Sequence, residues 1–181
     1  MLRFLEAYWH RDPGDRSQES SFGEADIRQA NGGGARISAA ERTAILGRRR
    51  AIERALRAIE PDASLAGAAT SVPWLPLGQL CTAFANIHGV GLAKMTKTLH
   101  PRRPALIPML DSVVQAYLHD DDPGARTPFE DRGLALMRGY KRDLDGNRAA
   151  IRALRRELAR RGYDVTEVRI LDLLIWSVAA T

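Results

Sequence analysis

The sequence predicts an all-α fold of about seven helices, and three observations carry that prediction. Apolar residues recur at three- and four-residue spacing in one segment after another. Helix-start signatures precede several of those segments, and no stretch alternates apolar with polar residues as a half-buried strand must. A chain of 181 residues, 45% hydrophobic and 27% charged, is sized for one buried core. The expected organisation is a divergent helical region over residues 1–72, including a mobile segment at 10–37, joined in one compact unit to a helical core over residues 73–181.

Residues 2–8 read as a short amphipathic opening, with Tyr8 and Trp9 available for packing, and a polar, glycine-containing stretch follows. The run Asn31-Gly32-Gly33-Gly34 breaks whatever precedes it. Ser38 with Glu41 three residues later makes a capping box. The helix it opens runs over residues 39–59, with Ile45, Ile52, Leu56 and Ile59 on one side. Arg48, Arg49 and Arg50 lie within that helix, and such a run more often marks a solvated face than a binding site. Beyond Pro61 and Pro73, Trp74, Leu77, Leu80, Cys81 and Phe84 mark the inner face of a helix over residues 74–87. His88-Gly89-Val90-Gly91 then forms a tight turn into a short helix over residues 92–99. Pro101, Pro104 and Pro108 hold the chain extended until Asp111, which can N-cap a helix over residues 112–118.

Asp120, Asp121 and Asp122 make an acidic turn before a helix over residues 128–141. Residues 148–161 are strongly amphipathic: Ile151, Leu154 and Leu158 form the seam, and Arg148, Arg152, Arg155, Arg156, Arg160 and Arg161 surround it. Gly162 stops that helix. Asp164 and Glu167 form a second capping-box pattern, opening a last helix whose Val168, Leu171, Leu174, Ile175 and Val178 belong in the core.

No apolar run approaches the roughly 18 residues of a membrane span. The opening lacks a small-residue cleavage site, so the expectation is a cytoplasmic protein. Cys81 is the single cysteine, which excludes an intrachain disulfide. His10, His100 and His119 have no metal-ligand spacing, and neither a metal nor another cofactor is expected. The formal net charge is +5, and 24 of the 27 basic residues are arginine. That surplus suits a polyanionic partner, although arginine beside abundant Ala, Leu and Gly is also what GC-rich coding produces. Where the charge sits discriminates between the two.

The glycine turn is the most informative local pattern. Two glycines let the backbone reverse and let another group approach the amides that open the next helix, a natural phosphate site. Lys94 and Lys97 lie on that helix, and Arg102 and Arg103 follow it. The candidate DNA-phosphate contacts are therefore Gly89, Val90, Gly91, Lys94, Lys97, Arg102 and Arg103. Twenty residues separate Gly91 from Asp111. This arrangement of Gly89-Val90-Gly91, a basic helix, a proline-punctuated loop and Asp111 resembles the core of the helix-hairpin-helix DNA glycosylase superfamily.

The resemblance implies a glycosylase-like helical domain that binds duplex DNA by its structure or damage. Asp111 is the position carrying over to the catalytic aspartate, which stabilises oxocarbenium-like charge once a base is flipped out. The lysine nucleophile of bifunctional members stands two residues after the second glycine, where this chain has Ala93, so no Schiff-base lyase activity is expected. His88 stands where a proline is usual and Met95 where a small alanine is usual, which implies a looser hairpin. The stretch from Gly89 to Leu99, with Arg102-Arg103-Pro104-Ala105-Leu106-Ile107-Pro108-Met109-Leu110-Asp111-Ser112-Val113-Val114, also resembles a bacterial family known only as a domain of unknown function. The likeness covers roughly Trp74 to Val178, including the final Val168-Arg169-Ile170-Leu171-Asp172-Leu173-Leu174-Ile175-Trp176.

Three functional readings follow. The first is a helix-hairpin-helix DNA-binding protein, and the second, contained in it, is a monofunctional DNA glycosylase using Asp111. The residues alone also allow Asp111 to act purely as a helix cap. The third is a non-enzymatic all-α scaffold in which the hairpin only packs and the helix over residues 148–161 docks an acidic partner protein.

Overall fold

The computed structural model describes residues 21–179, which form nine α-helices and no strand. The expected opening at residues 2–8, with Tyr8, Trp9 and His10, lies outside the described residues. Where the polar, glycine-rich composition predicts a mobile segment, α1 (Glu24–Gly32) is a helix burying Asp26, Ile27 and Ala30. The glycine run after it is closed by the Asn31 side chain. Its Nδ2 donates to the Ile37 carbonyl at 3.0 Å and its Oδ1 accepts from the Ile37 amide at 2.6 Å.

The Ser38–Glu41 capping box forms as the spacing predicts. The long helix predicted after it is two helices, α2 (Ala39–Gly47) and α3 (Arg49–Arg57), which meet at Arg48. Gly47 is the weak point, since glycine costs a helix about 1 kcal/mol relative to alanine. The break leaves Ile45, Ile52, Leu56 and Ile59 all buried in one core.

α4 (Trp74–Phe84) is the central helix, packed against α3 on one side and α7 (Phe129–Gly146) on the other. Gly133 allows the second approach: a Cβ there would lie 2.9 Å from the Cys81 sulfur and 3.2 Å from Leu92 Cδ2. Burial pushes the Cys81 thiol up to about 12, so the single cysteine is an inert core residue. Lys141 on α7 is also buried. Its ammonium donates to the Leu65 and Gly67 carbonyls at 3.1 and 2.9 Å and pairs with Asp145, clamping the loop before α4 onto α7.

After α5 (Leu92–Leu99), a single 3₁₀ turn leads into an extended loop that α5 holds from beneath. Thr96 Oγ1 accepts from the Leu110 amide at 3.0 Å, and His100 Nδ1 lies 2.7 Å from the Ile107 carbonyl. α6 (Ser112–Tyr117), α7, α8 (Arg148–Arg160) and α9 (Glu167–Ala179) complete the fold. The predicted Asp164 cap does not form. Thr166 caps α9 instead, accepting from the Arg169 amide at 3.1 Å while donating to the Pro104 carbonyl. Among the described residues no helix is long and apolar enough to cross a membrane.

Candidate nucleic-acid interface

The predicted succession of helix, glycine turn and helix is present, with the first helix three residues shorter than expected. α4 ends at Phe84, the chain turns through residues 85–91, and Gly91 N-caps α5. The two glycines have different reasons to be glycine. Gly89 has φ +77°, and a Cβ on it would lie 2.2 Å from Glu41 Oε1, so both conformation and crowding demand it. Gly91 has φ −93° and ψ −179°, ordinary extended backbone, and a Cβ there would meet nothing within 4 Å. No side chain caps α5, so its first-turn amides have no side-chain acceptor.

A carboxylate of the chain itself already sits at the turn. Glu41 reaches across from α2, and both its oxygens accept from the Lys94 ammonium, at 2.7 and 2.8 Å. The hydrogen bond from Lys94, followed by that from the Ser38 backbone amide, holds the Glu41 carboxyl below the usual carboxylate range. Lys97, one turn further along α5, donates to the Gly33 carbonyl at 3.3 Å and keeps part of its surface in solvent.

Arg102 and Arg103 are not surface cations, which corrects their assignment as phosphate contacts. Arg102 is 1% exposed and forks onto Asp26 of α1, with Nε to Oδ1 and Nη2 to Oδ2 both at 2.6 Å; Nη2 also donates to the Ser21 carbonyl. Arg103 donates to the Leu56 and Ile59 carbonyls at 2.9 and 2.7 Å, a cation at the C-terminal end of α3. Arginine suits both tasks because its planar fork satisfies several acceptors at once. These acceptors lie 44 to 81 residues away in sequence, so no local signal announces this burial.

Asp111 caps α6. Its Oδ1 accepts from the Val113 and Val114 amides, each at 3.1 Å, and its Oδ2 accepts from Trp176 Nε1 at 3.1 Å. The residue is 6% exposed. A largely apolar groove of about 640 Å³ runs nearby between α6, α8 and α9, lined by Val113, Tyr117, Ile151 and Leu174 among others, and Asp111 does not line it.

Sequence reasoning missed the residue beneath Asp111. Asp172 of α9 is fully buried, with Tyr140 Oη 3.0 Å from its Oδ1 and the Met109 amide donating to its Oδ2 at 3.4 Å. The Tyr140 hydroxyl also lies 2.6 Å from the Val168 carbonyl, which can only accept. The single phenolic proton therefore faces two acceptors, that carbonyl and the Asp172 carboxyl. Burial first, and then the neighbouring Asp111 charge, push Asp172 up to about 7, against the Arg169 charge and the Tyr140 hydrogen bond, which favour the carboxylate. An aspartate in the apolar pattern of the last helix was the available signal.

Among the described residues no group of three or more His, Cys, Asp or Glu is placed to hold a metal ion. The architecture is thus an all-helical domain with an open glycine hairpin and a capped, buried aspartate. The family of unknown function DUF6308 matches residues 5–179, and the chain belongs to that family. No curated protein and no solved structure matches it. The function of that family is unknown, and the likeness to helix-hairpin-helix glycosylases rests on the sequence from the glycine turn to Asp111 alone.

Proposed function

We propose that this chain is a DNA-binding protein that grips the duplex by its phosphates through the Gly89–Gly91 hairpin. The observation that carries this reading is Gly91: neither its backbone angles nor its surroundings require glycine, and no side chain caps the amides of the helix it opens. A phosphate fits such a site through amide hydrogen bonds and the positive end of the helix. The contact set is Gly89, Gly91, Lys94 and Lys97, with Lys94 exchanging Glu41 for phosphate; Val90 leaves the set because its side chain is buried and its amide donates to the Ile87 carbonyl at 3.0 Å. Binding is favoured over base excision because both oxygens of Asp111 are engaged inside the fold; an enzyme would need Trp176 to release Oδ2.

The second reading, a scaffold whose hairpin only packs, is favoured by the Glu41–Lys94 pair, which gives the turn a structural partner. Two substitutions separate them. Gly91→Ala is accommodated by the fold. If phosphate docks there, it weakens duplex binding about tenfold, the worth of one charge-assisted hydrogen bond of about 1.5 kcal/mol. Glu41→Gln tightens binding more than Glu60→Gln, an exposed control with the same charge change. Under the scaffold reading Gly91→Ala changes nothing and Glu41→Gln matches its control. The assay is fluorescence anisotropy with an intact duplex and one carrying an abasic-site analogue.

A further inference from the structure

Two segments of this protein carry a strong excess of positive charge. Residues 42–57 hold six arginines, Arg42, Arg48, Arg49, Arg50, Arg54 and Arg57, against one acid, Glu53. That excess of five equals the formal net charge of the whole chain, so the other residues sum to zero. Residues 148–161 carry the same excess, six arginines against Glu157, so pairing in the fold, and not the count, distinguishes the two segments.

The structure leaves the segment's charge unneutralised. Glu53 is engaged by Arg49 and by the Phe22 amide. Arg42, Arg48, Arg50, Arg54 and Arg57 are exposed and make no ion pair among the described residues. The α8 helix, whose arginines are equally numerous in sequence, is different. Arg148 pairs with Asp145, Arg152 and Arg155 with Glu167, and Arg160 and Arg161 with Glu157, so Arg156 alone has no such pair among the described residues.

Position adds to charge. Arg50, Arg54 and Arg57 follow one another at four- and three-residue offsets, which aligns them in a stripe about 10 Å long on one face of α3. The opposite face is anchored by buried Ile52, Ala55 and Leu56, so the stripe stands on a fixed element. The Arg103 guanidinium at the end of α3 offsets the negative end of the helix, which would otherwise repel an anion.

We infer that the exposed Arg50, Arg54 and Arg57 face of α3 is a docking surface for the phosphodiester backbone of duplex nucleic acid. Guanidinium forks match phosphate oxygens, and a row of them suits a ligand with regularly repeated charge. The inference rests on the nucleic-acid reading above and not on the hairpin.

The test compares the Arg50→Ala/Arg54→Ala/Arg57→Ala triple variant with its all-lysine counterpart and with an Arg152→Ala/Arg155→Ala/Arg156→Ala control. A fluorescein-labelled duplex is titrated with each across a salt series. Alanine is the better helix former, and circular dichroism verifies the fold. Each phosphate contact contributes about 0.9 to the slope of log affinity against log salt, so the α3 triple should lower that slope by about 2–3 and weaken low-salt binding at least tenfold. The lysine variant keeps most of the slope, and the α8 control behaves as wild type. The inference is overturned if the α3 triple binds as wild type does or if the α8 control loses as much. It is also overturned if the wild type does not bind duplex, or binds poly-glutamate as tightly through the same arginines. Loss in the α3 triple with Gly91→Ala silent would leave this surface standing and remove the hairpin; the opposite pattern would do the reverse.

Discussion

Replacing Asp26 by asparagine should cost the fold about 3–5 kcal/mol, far more than an ordinary polar substitution. The figure follows from burial. The side chains of Arg102 and Asp26 are 2% and 0% exposed, and two hydrogen bonds of 2.6 Å join them. Removing the carboxylate charge leaves a guanidinium in a site that water cannot fill. Domains of this kind have about 5–15 kcal/mol of total stability, so about a fifth or more of it rests on this pair being intact. With a urea dependence of about 2 kcal/mol per molar, the unfolding midpoint should fall by roughly 2 M, read by circular dichroism at 222 nm. Asp26→Leu with Arg102→Met should recover much of the loss, because a well-packed apolar pair has no charge to desolvate. A midpoint within about 0.3 M of wild type for Asp26→Asn, or simple additivity in the double variant, would refute the reasoning. Arg102→Met, assayed where it is folded, should bind duplex as wild type does, since its guanidinium never reaches the surface.

Asp172 gives a pH signature: the folded state holds its proton at about 7 and the unfolded state releases it near 3.8, so the stabilisation is complete below about pH 4 and is lost as pH rises toward 7. Asp172→Asn should remove a decline of about 4 kcal/mol over that window, and parallel wild-type and variant stability curves would contradict it. Asp122 runs the other way. The hydrogen bond from Arg132 lowers it to about 2, so Asp122→Asn should remove stability present above pH 4 that wild type loses as pH falls toward 2. Gly89→Ala should destabilise by roughly 1–2 kcal/mol through its positive φ, whereas Gly91→Ala should leave the thermal midpoint unchanged. Lys141→Met should destabilise by about 1–3 kcal/mol by freeing two loop carbonyls, measured by urea unfolding.

Most of the helical architecture is legible in the sequence because its signals are local. The Ser38 capping box, the apolar face of α4 and the Asp111 cap all form where their spacing places them. What the sequence hides is set by tertiary partners. α1 has weak amphipathicity and three nearby glycines, and it is fixed by the Asp26–Arg102 pair across 76 residues. The same pair turns a nominal phosphate contact into a core residue. Thr166 displaces Asp164 as a cap because its hydroxyl serves α9 and the Pro104 carbonyl together. At the hairpin, the local reading locates the glycines and lysines, yet the Glu41 carboxylate arrives from a helix 53 residues away from Lys94. The arginine run at residues 48–50 looks like any solvated helix face until the ion pairs of the α8 arginines show, by contrast, that Arg42, Arg48, Arg50, Arg54 and Arg57 are left without such partners among the described residues.

The salt dependence of wild-type binding to an intact duplex and to one with an abasic-site analogue tests the central claim most directly. Phosphate gripping predicts saturable binding to both, with log affinity falling against log salt at a slope of about −3 to −5 for four or five contacts. Binding that does not saturate, or that is indifferent to salt, would show that this fold does not hold DNA.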